Sequence, residues 1–331
     1  KKSFELLISN SNFEQYNNLA KKGITIRNTH LRALPTDGVI FYNPNRAGEG
    51  FPFDYNQNSS IKINTPLFVS HFSQDRLWAF VESSVALGWI KIQDIAFVDE
   101  QFIQEFQTGD YYINTKDKSG IYTKGYIQDS IELGTIFPKN IKGFLMATKD
   151  YSHKAIVSYI DDNYNLKQMP LEFNIKNIEL ISSELIGQKY GWGGLYGHRD
   201  CSAMTKDFYA PFGIFLQRNS GDQKNDGIYM DIKKMDRKSK KQYILDNGVP
   251  WTTLVYMKGH IMIYIGSKNG EPLVFHNVWG IRTLQDDGSV GRFVVGQAVV
   301  TTLETGKDLP NVVKDSLLID RVEGITLIAV Q

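Results

Sequence analysis

The stretch YGWGGLYGHRDCSAM, residues 190–204, contains the single cysteine in a chain of 331 residues. Asp200 is a good helix N-cap, so Cys201 is predicted to lie in the first turn of a helix. Backbone N–H groups and the helix dipole stabilise a thiolate at that position. The glycines before the helix, Gly191, Gly193 and Gly194, let the backbone pass closely and leave room for a substrate. This pattern indicates a nucleophilic thiol.

A candidate base lies downstream, in two strand-like segments. His260 heads GHIMIYIG, where alternation puts His260, Met262 and Tyr264 on one face. His276 lies in PLVFHNVWG, and a hairpin with a three-residue loop at 267–269 pairs the two histidines on one side of a sheet. A cysteine, a histidine base and a third group that orients the imidazole form the arrangement of thiol hydrolases.

Other interpretations of the same residues stay open. A phosphate-binding loop needs a preceding strand and set glycine offsets, whereas a helix is predicted before Gly191. Cys201 as an inert core thiol is the second interpretation, because free cysteines are often buried. The histidines form no His-x-x-x-His pattern, so we predict no metal site and no cofactor.

The elements that must position these residues follow from periodicity and turn residues. NIKNIELISSELIGQKY and CSAMTKDFYAPFG are predicted helices, the second ending near Pro211 and Gly213. Strand-like segments follow, and a helix pair before an antiparallel sheet is an α+β layout. Residues 23–175 carry short β-type runs typical of two small barrels. We predict an N-terminal arm with a helix at 11–22 (1–22), a first small β-barrel (23–100), a second (101–175) and an α+β domain (176–331).

Composition narrows the function classes. The chain has 37 basic and 36 acidic residues and a net charge of +1, which argues against a dedicated nucleic-acid binder. No apolar run approaches the length of a transmembrane helix. One cysteine excludes an intrachain disulfide. The apolar run in KKSFELLISN is too short for a signal peptide, and we expect that a signal was removed before Lys1.

Taken together, YGWGG, RDCSA, GHIMIYIG and FHN resemble the NlpC/P60 papain-like cysteine peptidases of bacterial cell walls. Matched residue by residue, the resemblance implies that Cys201 is the nucleophile, His260 the base and His276 the orienting group. It covers about residues 176–331. The segment PFGIFLQRNSGDQ resembles the subgroup in which the peptidase follows two bacterial SH3-like domains, which agrees with the β-rich region before it.

The resemblance also implies a substrate and a location. Family members cleave peptidoglycan stem peptides, or released muropeptides, between γ-D-glutamate and meso-diaminopimelate or L-lysine, in the periplasm or outside the cell. The substrate-binding candidates are Tyr190, Trp192, Asp200, Ser202, Asn219 and Ser220. An SH3-like domain packed on the cleft favours short peptides with a free amino terminus, with Asp200 as the first candidate to pair with the ammonium. Ala203 replaces the usual glycine, and Asn219 replaces an aspartate of some relatives.

Two further function classes share these residues. One is a non-catalytic cell-wall peptide-binding protein with a degenerate peptidase fold. The presence of all three catalytic candidates, Cys201, His260 and His276, argues against this class. The other is an amidase or acyltransferase on the same fold, which only analysis of the products distinguishes.

Overall fold

A computed structural model describes residues 2–161, 163 and 165–328. The N-terminal arm differs from the sequence-based prediction, because its helix α1 spans Lys2–Asn10 and not residues 11–22. Ser11, expected to begin a helix, instead donates its hydroxyl to the carbonyl of Leu7, 2.9 Å away. Asn12 has a φ of 49°, which stops the helix, and only a single 3-10 turn follows at Phe13–Gln15.

Short strands rich in β-branched and aromatic residues form the first β domain. They make a seven-stranded sheet in the order β3-β2-β6-β5-β4-β1-β7, with antiparallel pairs throughout. Its core includes Leu31, Val69 and Ile90, each fully buried. The strands are β1 (Lys21–Thr25), β2 (Thr29–Arg32), β3 (Gln57–Ile61), β4 (Pro66–Phe72), β5 (Trp78–Glu82), β6 (Leu87–Lys91) and β7 (Ile95–Phe97).

A second β domain follows the short helix α2 (Glu100–Phe106). Five strands form a sheet in the order β13-β12-β11-β8-β14, and β9 and β10 form a separate hairpin. Among the described residues, the sheets of both β domains are open in their hydrogen-bond order, not closed as the word barrel implies. The strands are β8 (Tyr111–Asn114), β9 (Ser119–Thr123), β10 (Tyr126–Ile131), β11 (Ile136–Asn140), β12 (Gly143–Lys149), β13 (Ala155–Ile160) and β14 (Leu166–Gln168).

The C-terminal part has the predicted α+β layout, with a six-stranded antiparallel sheet in the order β15-β20-β16-β17-β18-β19. The two predicted helices are present as α3 and α4. The elements are α3 (Ile175–Leu185), α4 (Cys201–Tyr209), α5 (Ser220–Gln223), β15 (Ile228–Asp231), α6 (Arg237–Asn247), β16 (Thr253–Met257), β17 (His260–Lys268), β18 (Glu271–Leu284), β19 (Val290–Thr302), α7 (Leu318–Arg321) and β20 (Val322–Leu327).

Alternation along β17 divides its side chains between two cores. Ile261 and Ile263 pack with Met204 and Phe208 of α4 on one face of the sheet. Met262 packs on the other face with the cluster that includes α6. Full burial of Met204 and Phe208 contributes roughly 1.5–3 kcal/mol each, which anchors α4 and so fixes the position of Cys201 at its start.

Both β domains are tied to α4 by buried ion pairs. Lys62, just after β3, pairs with Asp207 of α4. Asp117 of the second β domain pairs with Arg199 at 2.7 Å, and Arg199 also binds Asp207 at 2.7 Å. Helix α4 and the residues just before it are therefore the place where the three parts of the chain meet. The boundaries predicted at residues 22, 100 and 175 stay predictions. No helix in the described ranges is long and apolar enough to cross a membrane.

Candidate active site

Cys201 is the first residue of α4, as its predicted N-cap requires. The Asp200 carboxylate caps the helix by accepting a hydrogen bond from the Ala203 N–H at 2.9 Å. Cys201 is only 7% exposed. Cys201 packs in the same core cluster as Ile261 and Ile263, so it lies against the strand that begins with His260, and the backbone N–H groups of Ile261 and Ser202 act to lower the pKa of its thiol.

The electrostatics of the thiol differ from the sequence-based expectation. Burial, followed by the charge of Asp200, raises the pKa of Cys201 to about 12, although the two backbone N–H groups act in the opposite direction. Desolvation in the buried site therefore opposes the stabilisation of a thiolate that the helix N-terminus was predicted to give.

The two histidines contact one another directly. His260 Nε2 lies 2.8 Å from His276 Nδ1, and His276 Nε2 lies 2.9 Å from the hydroxyl of Thr301 on β19. Burial lowers the pKa of His260 to about 3, with Arg321 contributing, and lowers the pKa of His276 well below its ordinary value, with His260 contributing. Both imidazoles are therefore neutral at neutral pH.

The strand register that brings the histidines together is not the predicted one. A two-residue Asn269–Gly270 turn joins Lys268 to Glu271, where a three-residue loop was expected. Asn269 and Gly270 have φ values of 53° and 77°, as an Asn-Gly hairpin turn requires. A bulge after Tyr264 then shifts the register, so the histidines are diagonal neighbours and not a directly opposed pair.

Asp200 is held in a buried network with Arg218. Arg218 donates to both carboxylate oxygens, at 2.6 and 3.1 Å, and to the hydroxyls of Ser202 and Ser59. The Gly193 N–H donates to Asp200 as well. Burial alone would raise the pKa of Asp200, but Arg218 and these hydrogen bonds lower it. The pairing of Asp200 with a substrate ammonium stays a prediction.

Tyr190 and Trp192 contact a loop of the first β domain. The indole N–H of Trp192 donates to the Asp54 carbonyl at 3.0 Å, and its ring lies 5.2 Å from that of Phe53. Tyr190 is 6.3 Å from Phe53 and 5.8 Å from Trp279 of β18. Trp192 therefore contacts the first β domain. Tyr190 also lies close enough to Cys201 for the charge of a thiolate to raise the pKa of the tyrosine.

Two of the three glycines that were expected to make room for substrate, Gly193 and Gly194, instead pack against the first β domain. A Cβ on Gly194 would lie 2.2 Å from the Ser60 hydroxyl oxygen, and one on Gly193 would lie 2.7 Å from Gln57 Cγ. Both glycines are buried and have positive φ values. Gln57 also donates to the Gly193 carbonyl at 2.8 Å. The glycine cluster is thus the surface on which β3 of the first domain packs.

A cavity of about 390 Å³ opens beside the histidine pair. His260, His276, Tyr190, Trp279 and Phe53 are among its walls. Asn219 and Ser220 do not line it: exposed Asn219 bonds Asp222 at the start of α5, and Ser220 follows it. Within the described residues, no cluster of three or more His, Cys, Asp or Glu side chains has a geometry that could hold a metal ion.

Several residues at the site were missed by the sequence analysis. Thr301 lies in an alternating strand whose pairing partner was unknown, so nothing singled it out. Arg218 had a local signal in the sequence, because an arginine shortly after a predicted cysteine helix can reach the acid that caps the helix. Gln57 and Ser59 lie more than a hundred residues before Cys201, and only the domain packing brings them near.

Comparisons with known proteins agree with this architecture. A sequence profile described as an SH3 domain of SH3b1 type matches residues 40–91, and the profile of the NlpC/P60 family matches residues 187–285. No curated protein matches the chain.

Two solved structures are similar over most of the chain. An NlpC/P60 endopeptidase from Photobacterium damselae subsp. piscicida is 26% identical with a TM-score of 0.90, and the match covers 99% of this chain and 79% of that one. An NlpC/P60 family protein from Bacillus cereus ATCC 10987 is 14% identical with a TM-score of 0.59, over 92% of this chain and 98% of that one. The chain therefore combines an N-terminal SH3b domain with a C-terminal NlpC/P60 domain.

Proposed function

We propose that this protein is a cysteine endopeptidase that hydrolyses peptidoglycan stem peptides between γ-D-glutamate and the diamino acid, outside the cytoplasm. The observation that carries the proposal is the hydrogen-bonded series from His260 through His276 to Thr301, at the head of the strand whose Ile261 packs in the same core cluster as Cys201. The similarity to an endopeptidase of the same architecture supports the reaction class.

The protonation states define the first step. His260 uses Nε2 for His276, which leaves Nδ1 as the ring atom for the thiol proton. In a consistent arrangement His260 Nε2–H donates to His276 Nδ1, and His276 Nε2–H donates to Thr301. Because thiol and imidazole are both neutral at rest, His260 acts as a general base while the sulfur attacks the γ-carbonyl carbon.

The later steps return the proton. The Cys201 backbone N–H, at the start of α4, is the candidate donor to the oxyanion of the tetrahedral intermediate. The imidazolium of His260 then protonates the leaving amine, and a thioester to Cys201 remains. Water, deprotonated by His260, hydrolyses the thioester and releases the γ-glutamyl carboxylate. His276 and Thr301 hold the ring orientation and share the transient positive charge.

Packing of the first β domain favours short peptides over polymer. Gln57 and Ser60 of that domain pack on Gly193 and Gly194, just before Cys201. A domain lying against this side of the site leaves less room for a stem peptide that is still attached to glycan. We therefore expect faster cleavage of free L-Ala-γ-D-Glu-diamino acid peptides than of intact sacculi.

A non-catalytic peptide-binding protein is the second candidate, and the raised pKa of Cys201 is the observation that favours it. Incubation of the protein with synthetic L-Ala-γ-D-Glu-diaminopimelate, followed by mass spectrometry, tests both. The first proposal expects L-Ala-D-Glu and free diaminopimelate from the wild type and no turnover by Cys201→Ala. Turnover by Cys201→Ala refutes the mechanism, and binding without turnover by the wild type supports the second candidate. An amide or acyl-transfer product points to an amidase or acyltransferase.

A further inference from the structure

Three arginines line the cavity beside the histidine pair: Arg282, Arg292 and Arg321. Arg282 of β18 and Arg292 of β19 are directly opposite one another in the sheet. Arg321 ends the short helix α7. Like charges in opposed positions destabilise a strand pair, yet this chain adds a third positive charge to the same cavity. An arrangement that costs stability in the free protein points to a role in binding.

The three guanidinium groups have no acidic partner among the described residues, since none of them takes part in the ion pairs found there. Burial and Arg282 lower the pKa of Arg292, and burial, Arg282 and Arg292 lower the pKa of Arg321. The hydrogen bond of Arg292 to the Gly291 carbonyl, at 2.8 Å, leaves most of its donors available. The buried arginines Arg199 and Arg218, by contrast, each bind a carboxylate within 2.7 Å.

The position of this cluster relative to the chemistry identifies the part of the substrate that meets it. In the proposed reaction His260 must protonate the leaving amine, so the diamino acid lies on the histidine side of the scissile bond. His260 and His276 are walls of the same cavity as the three arginines. The arginines therefore face the leaving group and not the γ-glutamyl residue that is transferred to sulfur.

We propose that Arg282, Arg292 and Arg321 form a carboxylate-binding subsite for the diamino acid, and that this subsite selects diaminopimelate over lysine. The inference rests on the proposed function. Diaminopimelate carries a second carboxylate beside its distal amine, and a guanidinium binds a carboxylate through two parallel hydrogen bonds. Lysine ends in a bare ammonium, which three neighbouring positive charges repel.

The first test uses three synthetic peptides that differ only at the distal end of the third residue. They are L-Ala-γ-D-Glu-diaminopimelate, the same peptide with its distal carboxylate amidated, and L-Ala-γ-D-Glu-L-Lys, all with an amidated C-terminal α-carboxylate. We expect kcat/KM for the first to exceed both others by at least roughly tenfold, as for loss of a charge-assisted hydrogen bond. Equal kcat/KM for all three peptides overturns the proposal.

The second test removes single positive charges. Arg292→Gln and Arg321→Gln should each raise KM for the diaminopimelate peptide by roughly tenfold. Each should also lower the ratio of kcat/KM for the diaminopimelate peptide to kcat/KM for the lysine peptide. Arg292→Lys, which keeps the charge but not the paired hydrogen bonds, should lie between Arg292→Gln and the wild type. Lys268→Gln, an exposed charge at the far end of β17, is the matched control and should leave both constants unchanged. Far-ultraviolet circular dichroism confirms that each variant is folded.

A binding measurement separates failure of this inference from failure of the proposed function. Calorimetric titration of Cys201→Ala with the three peptides needs no turnover. Preferential binding of the diaminopimelate peptide that Arg292→Gln abolishes supports the subsite even where the wild type cleaves no peptide. Equal binding of all three peptides, or binding insensitive to Arg292→Gln, overturns the subsite even where cleavage proceeds.

Discussion

At the scale of single residues, the chemistry depends on neutral groups that exchange protons only when substrate is present. Burial raises the pKa of Cys201 to about 12 and lowers that of His260 to about 3. Neither group is charged at rest, so the reactivity of the thiol depends on the orientation of the His260 ring. That orientation is set by His276 and, through it, by Thr301.

Thr301→Val should reduce kcat without abolishing activity. The change keeps the side-chain shape but leaves the His276 N–H without its acceptor, which costs about 1–3 kcal/mol in a buried site. We expect a fall in kcat of roughly tenfold with little change in KM, measured with the diaminopimelate peptide. Thr301→Ser keeps the hydroxyl and is the control. Identical loss in both variants would show that packing, and not the hydrogen bond, matters at this position.

The histidine pair should make the protein lose stability as the pH falls below about 6.5. Folding lowers the pKa of His260 from 6.5 to about 3 and that of His276 in the same direction, so the unfolded chain binds more protons in that window. The free energy of unfolding then decreases by up to about 1.4 kcal/mol per pH unit for each histidine.

Urea unfolding between pH 5 and 6.5 measures this slope, above the range in which most carboxylates titrate. His276→Gln should reduce the slope of unfolding free energy against pH by the contribution of one histidine. Thr301→Val removes no titrating group and should keep the wild-type slope. A slope in His276→Gln equal to that of the wild type would contradict the assignment.

At the scale of elements, the stability of the start of α4 depends on the buried Asp200–Arg218 ion pair as much as on helix propensity. Arg218→Met should lower the free energy of unfolding by roughly 3–5 kcal/mol, because it leaves the Asp200 charge buried without its partner. In the double variant Asp200→Asn/Arg218→Met no unpaired charge remains. The double variant should therefore lose less free energy of unfolding than the two single variants lose together, as measured by urea unfolding.

Arg237→Met is the matched control for this cycle. Arg237 pairs with Asp320 and Asp315 at the surface, where its side chain is 45% exposed. Solvent screens such a pair, so we expect a loss below about 1 kcal/mol. Strict additivity of Asp200→Asn and Arg218→Met, or equal losses for Arg218→Met and Arg237→Met, would show that the pair does not hold the helix start.

At the scale of the whole molecule, the first β domain packs on Gly193 and Gly194, just before Cys201. Gly194→Ala places a Cβ 2.2 Å from the Ser60 hydroxyl oxygen and 2.9 Å from its backbone nitrogen, at a φ of 87°. The contact cannot be relieved by a flexible side chain. We expect the two domains to separate locally and kcat/KM to fall, with a stability loss of 1–3 kcal/mol beyond the cost of the positive φ.

Gly270→Ala isolates the backbone cost of the Gly194 change. Gly270 has a similar φ of 77°, and a Cβ there meets no atom within 4 Å. The difference between the two variants in urea unfolding and in kcat/KM therefore measures the domain contact alone. Equal effects of both substitutions would mean that the contact with β3 contributes nothing to the site.

The sequence by itself determined the local features of this protein. The N-cap at Asp200, the α4 helix and the alternation in the strand at His260 depend on neighbours a few positions away, so pattern and propensity predict them. The combined spacing around Cys201, His260 and His276 was enough to indicate a thiol hydrolase and its family resemblance.

Only the tertiary structure decided what depends on distant residues. The pKa of Cys201 follows from burial under packed elements, and the contact of the histidines follows from the register that a bulge between Tyr264 and Gly266 sets against the neighbouring strand. The glycines proved to be a domain interface because β3 packs on them. No sequence pattern around Arg282, Arg292 or Arg321 indicates a binding site. They share one cavity only because strand pairing and α7 bring them together. Contacts between residues far apart in the chain depend on the tertiary fold and cannot be deduced from the spacing of residues in the sequence.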